Sequence, residues 1–395
     1  MPFIMLTVLI DMLAIGLIIP VLPALVGALS GNPADQVYWY GLAAMSFGLA
    51  NFLASPVLGA LSDKFGRRPV LLLGFMGLGV SFFGTALTPN LWGLIAVRTM
   101  GGAMQSNAAI ANAYVADITE PEKRAKRFGL LGAMMGLGFI VGPVMGGLLG
   151  AIDLKLPFWV AGGLAMLNLL YGYFVLPESL PADQRKSLNW GAFNPVKAFR
   201  DLAGLKGVRA LVGVVVFSGL AQFILYTSWV LYNTFKFGWG PLENGWSLAV
   251  VGVVSVIVQG VLMGRLIKRF GPQRLAVMGL ISSVMAYALW GAASEGWMMY
   301  AVIAFNLLGG TVAASVQSLI SSAADSKSQG QTLGAVSALN GLMAVVAPLI
   351  ATPLLAAVSH LPQGDWRIGA PFYFCALLQV VSLGLAVRYF KAHRV

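Results

Sequence analysis

The sequence predicts an all-α membrane protein with twelve transmembrane helices in two pseudo-symmetric six-helix halves, and three observations carry that prediction. Of the residues, 58% are hydrophobic and only 10% are charged, against about 25% charged in a soluble domain. Apolar runs recur at a length of about 20 residues, which is what a helix rising ~1.5 Å per residue needs to cross a hydrocarbon layer ~30 Å thick. Motifs of the first half also return, in order, in the second.

The twelve runs cover residues 4–26, 38–61, 70–88, 90–114, 128–150, 157–176, 208–233, 244–264, 274–293, 297–321, 331–356 and 369–387. The first contains "LIDMLAIGLIIPVLP"; with no basic stretch ahead of it and no small-residue cleavage site behind it, it reads as a retained helix rather than a signal peptide. The second runs into "GALSDKFGRRP", residues 59–69, where Asp63, Lys64, Arg67 and Arg68 crowd a turn that Gly66 permits. The fourth carries Arg98 and closes near Asp117, the fifth carries "GFIVGPVMGG" at 138–147, and the sixth closes on "LPESL". A polar segment from Pro177 to about Gly207 then separates six runs from six. The expected domains are therefore an N-terminal half at 1–176, a cytoplasmic linker at 177–207 and a C-terminal half at 208–395. Inside the linker, "NPVKAFRDLAGLK" has the pattern of a short surface helix or of a solvated connector. The seventh run presents Phe223, Tyr226, Trp229 and Tyr232 at a spacing of three, the eighth runs into "GRLIKRFGPQR" at 264–274, and the twelfth holds the single cysteine, Cys375. One cysteine excludes an intrachain disulfide.

The formal net charge of +11 is distributed as a membrane requires. With the N-terminus in the cytoplasm, 21 of the 25 basic residues fall in loops or tails on that side, Lys155, Lys236 and Arg367 on the other, and Arg98 inside a run. This is the positive-inside pattern; it places both termini in the cytoplasm and gives no reason to expect a nucleic-acid partner.

The internal repeat is specific. Gly59, Phe65 and Gly66 recur as Gly264, Phe270 and Gly271, and Arg98, Gly101, Gly102 and Asp117 stand at a constant offset of 208 from Asn306, Gly309, Gly310 and Asp325. Two homologous halves place a cavity at their interface near the bilayer midplane, as in secondary transporters. A charge at the centre of a spanning helix costs ~2.5–3.5 kcal/mol on the mildest scale, so charges there mark function. Asp11 and Arg98 each lie about two turns inside a run, entering from opposite sides, and are expected within one long side chain of each other. Asp11 then reads as a proton carrier whose affinity changes with conformation and Arg98 as its modulator, or the two form a purely structural ion pair.

"GALSDKFGRRP" resembles the loop motif of the major facilitator superfamily, and "GFIVGPVMGG" resembles the fifth-helix signature of its drug:proton antiporters. Together with "DMLAIGLIIPVLP" and "LPESL", these segments resemble the tetracycline-resistance group of that superfamily. The resemblance implies that Asp63 pairs with Arg67 and Asp117 and faces the N-terminus of the eleventh helix, in a conformational latch comprising Gly59, Asp63, Gly66, Arg67, Arg68 and Asp117. The alternative is a topology anchor alone. The second half has Lys268 where the acid would stand, so the latch is expected to be asymmetric. Gly138, Gly142, Gly146 and Gly147, with Pro143, are expected to line one face for close helix packing, against which helix five and helix eight rock.

The sequence departs from the tetracycline group inside the membrane, where that group carries an acid in helix three, a histidine in helix eight and an acid in helix nine. Ungapped matching puts Ser81, Ser255 and Ser283 there, so tetracycline as a cationic metal chelate is doubtful as substrate. The polar and aromatic candidates for substrate contact are Asn107, Gln222, Tyr226, Trp229, Gln259, Asn306, Gln317 and Asn340, with Asn51 and Gln105 beside them. His360 and His393 lie outside the runs and no GxxxxGK[ST] segment is present, so neither an enzyme nor an ATP-driven pump is expected. The expected function is proton-coupled efflux of a small amphipathic compound from a bacterial inner membrane. The expected partners are substrate, protons and lipid, with no cofactor or metal, and the chain is expected to act as a monomer. A metabolite importer, a facilitated carrier and a transport-inactive sensor are the alternatives.

Overall fold

The computed structural model describes residues 2–185, 209–323 and 329–392, and all regular structure among them is helical. In chain order the helices are α1 (Pro2–Ile18), α2 (Leu22–Leu29), α3 (Pro33–Phe65), α4 (Arg67–Leu87), α5 (Leu91–Met104), α6 (Asn107–Asp117), α7 (Arg124–Ile152) and α8 (Leu156–Val175). They continue as α9 (Arg209–Phe237), α10 (Pro241–Val256), α11 (Met263–Ala292), α12 (Gly296–Phe305), α13 (Val312–Ala323), α14 (Gln329–Ala356) and α15 (Ala370–Ala392). The surface-helix segment at 194–206 and Asp325 of the repeat lie outside the described residues.

Local chemistry sets several helix ends. Asn32 and Asn90 cap α3 and α5 by accepting the amides of Asp35 and Gly93, which satisfies donors that have no partner within the helix. Gly66 separates α3 from α4 at φ +107°, and its repeat mate Gly271 kinks α11 at φ +73° ahead of Pro272. Both lie in the left-handed region that favours glycine. The two halves therefore use the same Phe-Gly step for a sharp turn, although in the second half the helix runs on through it.

Among the described residues, nine helical stretches are long and apolar enough to cross a membrane, or ten when the bent pair Gly296–Phe305 and Gly309–Ser321 counts as one. The 52-residue stretch Pro241–Ala292 contains the eighth and ninth expected runs. The fourth is interrupted at Gln105 and Ser106, so neither α5 nor α6 alone has the length. The amide of Asn51 in α3 donates to the carbonyl of Gln105 at this break and to that of Gly102, which also accepts the Gln105 amide, as buried backbone away from water requires. A π-helical segment at Ile257–Leu262, which includes Gln259, joins α10 to α11 and was not legible in the sequence pattern.

Contacts sort the chain into two compact units, one of Met1–Phe193 with Trp239–Val253 and one of Asn194–Gly238 with Val254–Val395. The first unit takes in the first part of α10, through Val253. In the first unit α1 packs on α7 and α8, and α4 on α8. The second unit repeats this pairing, with α9 on α14 and α15, and α11 on α15. The first core gathers Leu17, Val21, Leu78, Phe82 and Phe158, and the second Val214, Ala276, Leu280 and Ile320. Outward faces are apolar: Ile152 and Phe174 are each 77% exposed, a state suited to lipid contact. Trp92, Trp297 and Trp366 stand exposed at or just before helix starts, in the manner of an interfacial aromatic belt.

Candidate functional site

Asp11 sits in the middle of α1 with its side chain turned into the first unit, 4% exposed. Its Oδ1 accepts a hydrogen bond from the Asn107 amide at 2.9 Å. Gly74 of α4 leaves the space that Asn107 occupies, and the acid lines a tight crevice with Thr7, Val8, Phe75 and Ala111. Asn107 Oδ1 has no partner of its own. An amide carries a donor and an acceptor, so in this position it can donate to a carboxylate and, once rotated by half a turn, accept from a protonated carboxyl. One neighbour therefore serves both protonation states of Asp11. Asn107, expected as a substrate contact, is instead committed to the acid.

Arg98 does not meet Asp11, and no ion pair joins them. The physical reason is helix packing: α1 is seated on α7 and α8, whereas α5 packs on α3, so the two side chains are turned to different neighbours. Arg98 is 8% exposed, its guanidinium carbon lies 4.4 Å from the centroid of the Phe47 ring, and it interacts electrostatically with the Tyr40 phenol.

The charged turn forms the cluster that the resemblance implied within the first half. Arg67 pairs with Asp63 at 2.5 Å and with Asp117 at 3.0 Å, and also donates to the Ser62 hydroxyl at 2.7 Å. Ser179 donates to Asp117 at 3.1 Å. Arg68 stands apart from this triad, donating to the carbonyls of Gly172 and Tyr173 at the end of α8. Gly59 has open space beside it.

The residue that sequence reasoning missed is Glu178 of "LPESL". Its carboxylate accepts the backbone amides of Arg67 and Arg68, the first two residues of α4, at 2.8 and 3.2 Å, and those of Ser179 and Leu180 at 2.9 and 3.0 Å. An acid on a helix N-terminus gains both hydrogen bonds and dipole stabilisation. Position alone could have flagged it, since an acid just beyond a sixth span must return to the same membrane face as the charged turn. Glu178→Ala should lower stability by about 1–2 kcal/mol, read as a reduced melting temperature of the purified protein; an unchanged midpoint would remove Glu178 from the cluster.

The glycine motif packs differently from expectation. Gly138, Gly142 and Gly146 face α1, where a Cβ on Gly142 would stand 2.8 Å from Gly16 Cα and one on Gly146 2.7 Å from the Leu17 carbonyl carbon. Gly147 faces α10 instead, where a Cβ would stand 2.7 Å from Pro241 O and 3.3 Å from Gly245 Cα. The four glycines do not share one face because a step of one residue turns a helix by about 100°. Three of them seat the helix that carries Asp11. Since the atoms met are backbone and cannot step aside, Gly146→Ala should destabilise the fold by about 1–3 kcal/mol, measurable as loss of folded protein on gel filtration after heating.

The remaining substrate candidates have separate fates. Trp229 is buried in an edge-to-face cluster with Trp290 and Phe372 at 5.3 and 6.2 Å, so it is packed core. Tyr226 is 58% exposed, beside Phe223, and hydrogen-bonds Gln222. Asn306 accepts from Ser282 at 3.0 Å, whereas Gln259, Gln317 and Asn340 are exposed. Ser81 is fully buried and donates to Val97 O at 3.1 Å. Sequence reasoning also missed Lys236, buried near the end of α9, whose Nζ donates at 2.7 Å to Gly291 O in the last turn of α11, where a cation is favoured. Outside the spans, Asp365 accepts from Arg367, which holds its carboxyl below the ordinary range.

Two units that repeat one helix pairing, with Asp11 the one acid buried in a spanning helix among the described residues, fit a secondary-transporter architecture. The family model of the Major Facilitator Superfamily matches residues 4–348 and 211–395. The chain is 38% identical over 372 residues to the class C tetracycline resistance protein of Escherichia coli, covering 94% of this chain and 93% of that one. It is 33% identical over 371 residues to the class D protein of Salmonella ordonez, covering 92% of each. Among solved structures it is similar in fold to the human organic anion transporter MFSD10 (TETRAN), with a TM-score of 0.72, 23% identity and 98% of each chain covered. The nucleoside transporter NupG gives a TM-score of 0.79 at 12% identity, again with 98% of each chain covered. The chain belongs to the Major Facilitator Superfamily, and it is a multi-pass membrane transporter.

Proposed function

We propose that the protein exports a small amphipathic organic compound in exchange for protons by alternating access. The observation that carries this reading is the buried Asp11–Asn107 pair, which accommodates both protonation states of an acid in the middle of a spanning helix. Relatives named for tetracycline resistance support the efflux direction. In this reading Asp11 carries the proton, and the Asp63–Arg67–Asp117 cluster with Glu178 works as a latch on the cytoplasmic side. Tyr226 and Gln222 in the second unit and the exposed amides Gln259, Gln317 and Asn340 are the substrate contacts that remain open. The excess of basic residues in one set of loops supports cytoplasmic termini and a bacterial inner-membrane location, with the chain acting as a monomer.

Ser81 and Ser283 are buried neutral hydroxyls where the tetracycline group carries acids, so compounds without a positive charge are the expected cargo. The test is substrate-dependent proton movement in proteoliposomes across a compound panel that includes tetracycline. Proton flux with neutral amphipathic compounds and little with tetracycline is expected; strong tetracycline flux would overturn the substrate reading, and no coupled flux with any compound would favour a facilitated carrier.

A further inference from the structure

The first unit buries a cation that has no anion. Arg98 carries five N–H donors, yet no acceptor among the described residues takes one of them, and its Nε is wholly shielded from solvent without a partner. The one acid buried at mid-span among the described residues of this unit, Asp11, is engaged with Asn107. Phe47 covers one face of the guanidinium, with its ring centroid at 4.4 Å, and Tyr40 supplies a half-buried phenol within electrostatic range. A ring on one face leaves the N–H donors along the guanidinium edge without an acceptor. That edge is the part that binds a carboxylate through two parallel hydrogen bonds.

Burying an unpaired guanidinium is costly. Phe47 offsets only part of that cost, because a cation–π contact is worth about 0.5–2 kcal/mol. Nearby polar groups do not fill the gap. Ser81 is turned to the Val97 carbonyl and Asn51 to the carbonyls of Gly102 and Gln105. The environment lacks one thing, a negative charge, and it offers aromatic surface beside the place where that charge would sit.

We propose that Arg98, with Phe47 and Tyr40, binds the carboxylate of a planar organic anion, and that the transported compounds therefore include aromatic carboxylates. This deepens the transporter reading, on which it rests, by assigning a substrate class to the first unit. Arg98 is then a substrate residue rather than the modulator of Asp11. The guanidinium edge takes the carboxylate, with the Tyr40 phenol within electrostatic range of it.

The test is equilibrium dialysis of the purified full chain in lipid nanodiscs with 1-naphthoate and with neutral 1-naphthamide, at one pH and with no gradient. Wild type should bind naphthoate at least about tenfold more tightly than the amide, as expected for a charge-assisted bidentate pair. Arg98→Gln should erase that preference, and a wild-type melting transition and gel-filtration profile show that the variant is folded; Arg98→Lys should keep part of the preference. Equal wild-type affinities, no naphthoate binding, or a preference that survives in Arg98→Gln would each overturn the proposal. Asp11→Asn should keep the preference for naphthoate over the amide, whatever its absolute affinities, so a failure of proton coupling and a failure of anion recognition are read separately.

Discussion

Asp11→Asn should abolish uphill transport while leaving downhill exchange of substrate. The substitution keeps the shape of the side chain and its place beside Asn107, yet removes the exchangeable proton. A neutral amide at this position imitates a permanently protonated acid, so the rocking of the two halves and the substrate contacts persist while the link to the proton gradient is cut. The measurement is initial rate and final accumulation in proteoliposomes with and without an imposed pH gradient. Accumulation should fall from well above the external concentration to equality with it, and counterflow should stay close to the wild-type rate. Continued accumulation by the variant would mean that the proton travels through other groups.

The second large effect is expected at Arg67, because one guanidinium holds Asp63, Asp117 and Ser62 together at the α3–α4 turn. Arg67→Met removes the cation and leaves two carboxylates facing each other. Each is partly exposed, so solvent moderates the repulsion, and the fold should survive because Glu178 still caps α4 through the backbone. Transport should nevertheless drop by roughly tenfold, since one tenfold step corresponds to only about 1.4 kcal/mol in the balance between transporter states. Arg67→Lys should recover part of the rate, being a cation without the fork that reaches both acids. Normal transport by Arg67→Met would reduce the cluster to a topology anchor.

Much of the architecture was legible because lipid imposes simple rules. Runs of apolar residues, one-sided basic loops and the recurrence of Gly59, Phe65 and Gly66 as Gly264, Phe270 and Gly271 all follow from length, charge and backbone geometry. The repeated turn reappears as positive φ at both Gly66 and Gly271. The ion cluster was legible through its motif, whereas for Glu178 position gave only the shared membrane face: its contact with the start of α4 is a tertiary fact. The mispairing of Asp11 with Arg98 has a similar origin. Sequence depth placed both at mid-span, but the rotation of each helix about its axis is set by packing, and the glycines of α7 fix that rotation for α1. For the same reason a spacing of three on α9 could not separate buried Trp229 from exposed Tyr226.

In the proposed mechanism Asp11 gives up a proton when substrate is taken up, and this release can be counted directly. Purified protein in weakly buffered detergent solution, mixed with a transported compound, should release protons in proportion to the compound bound and at most one per molecule, reported by a pH indicator dye. Asp11→Asn should release none while binding the same compound. Equal release by both proteins, or none by wild type despite binding, would contradict the account.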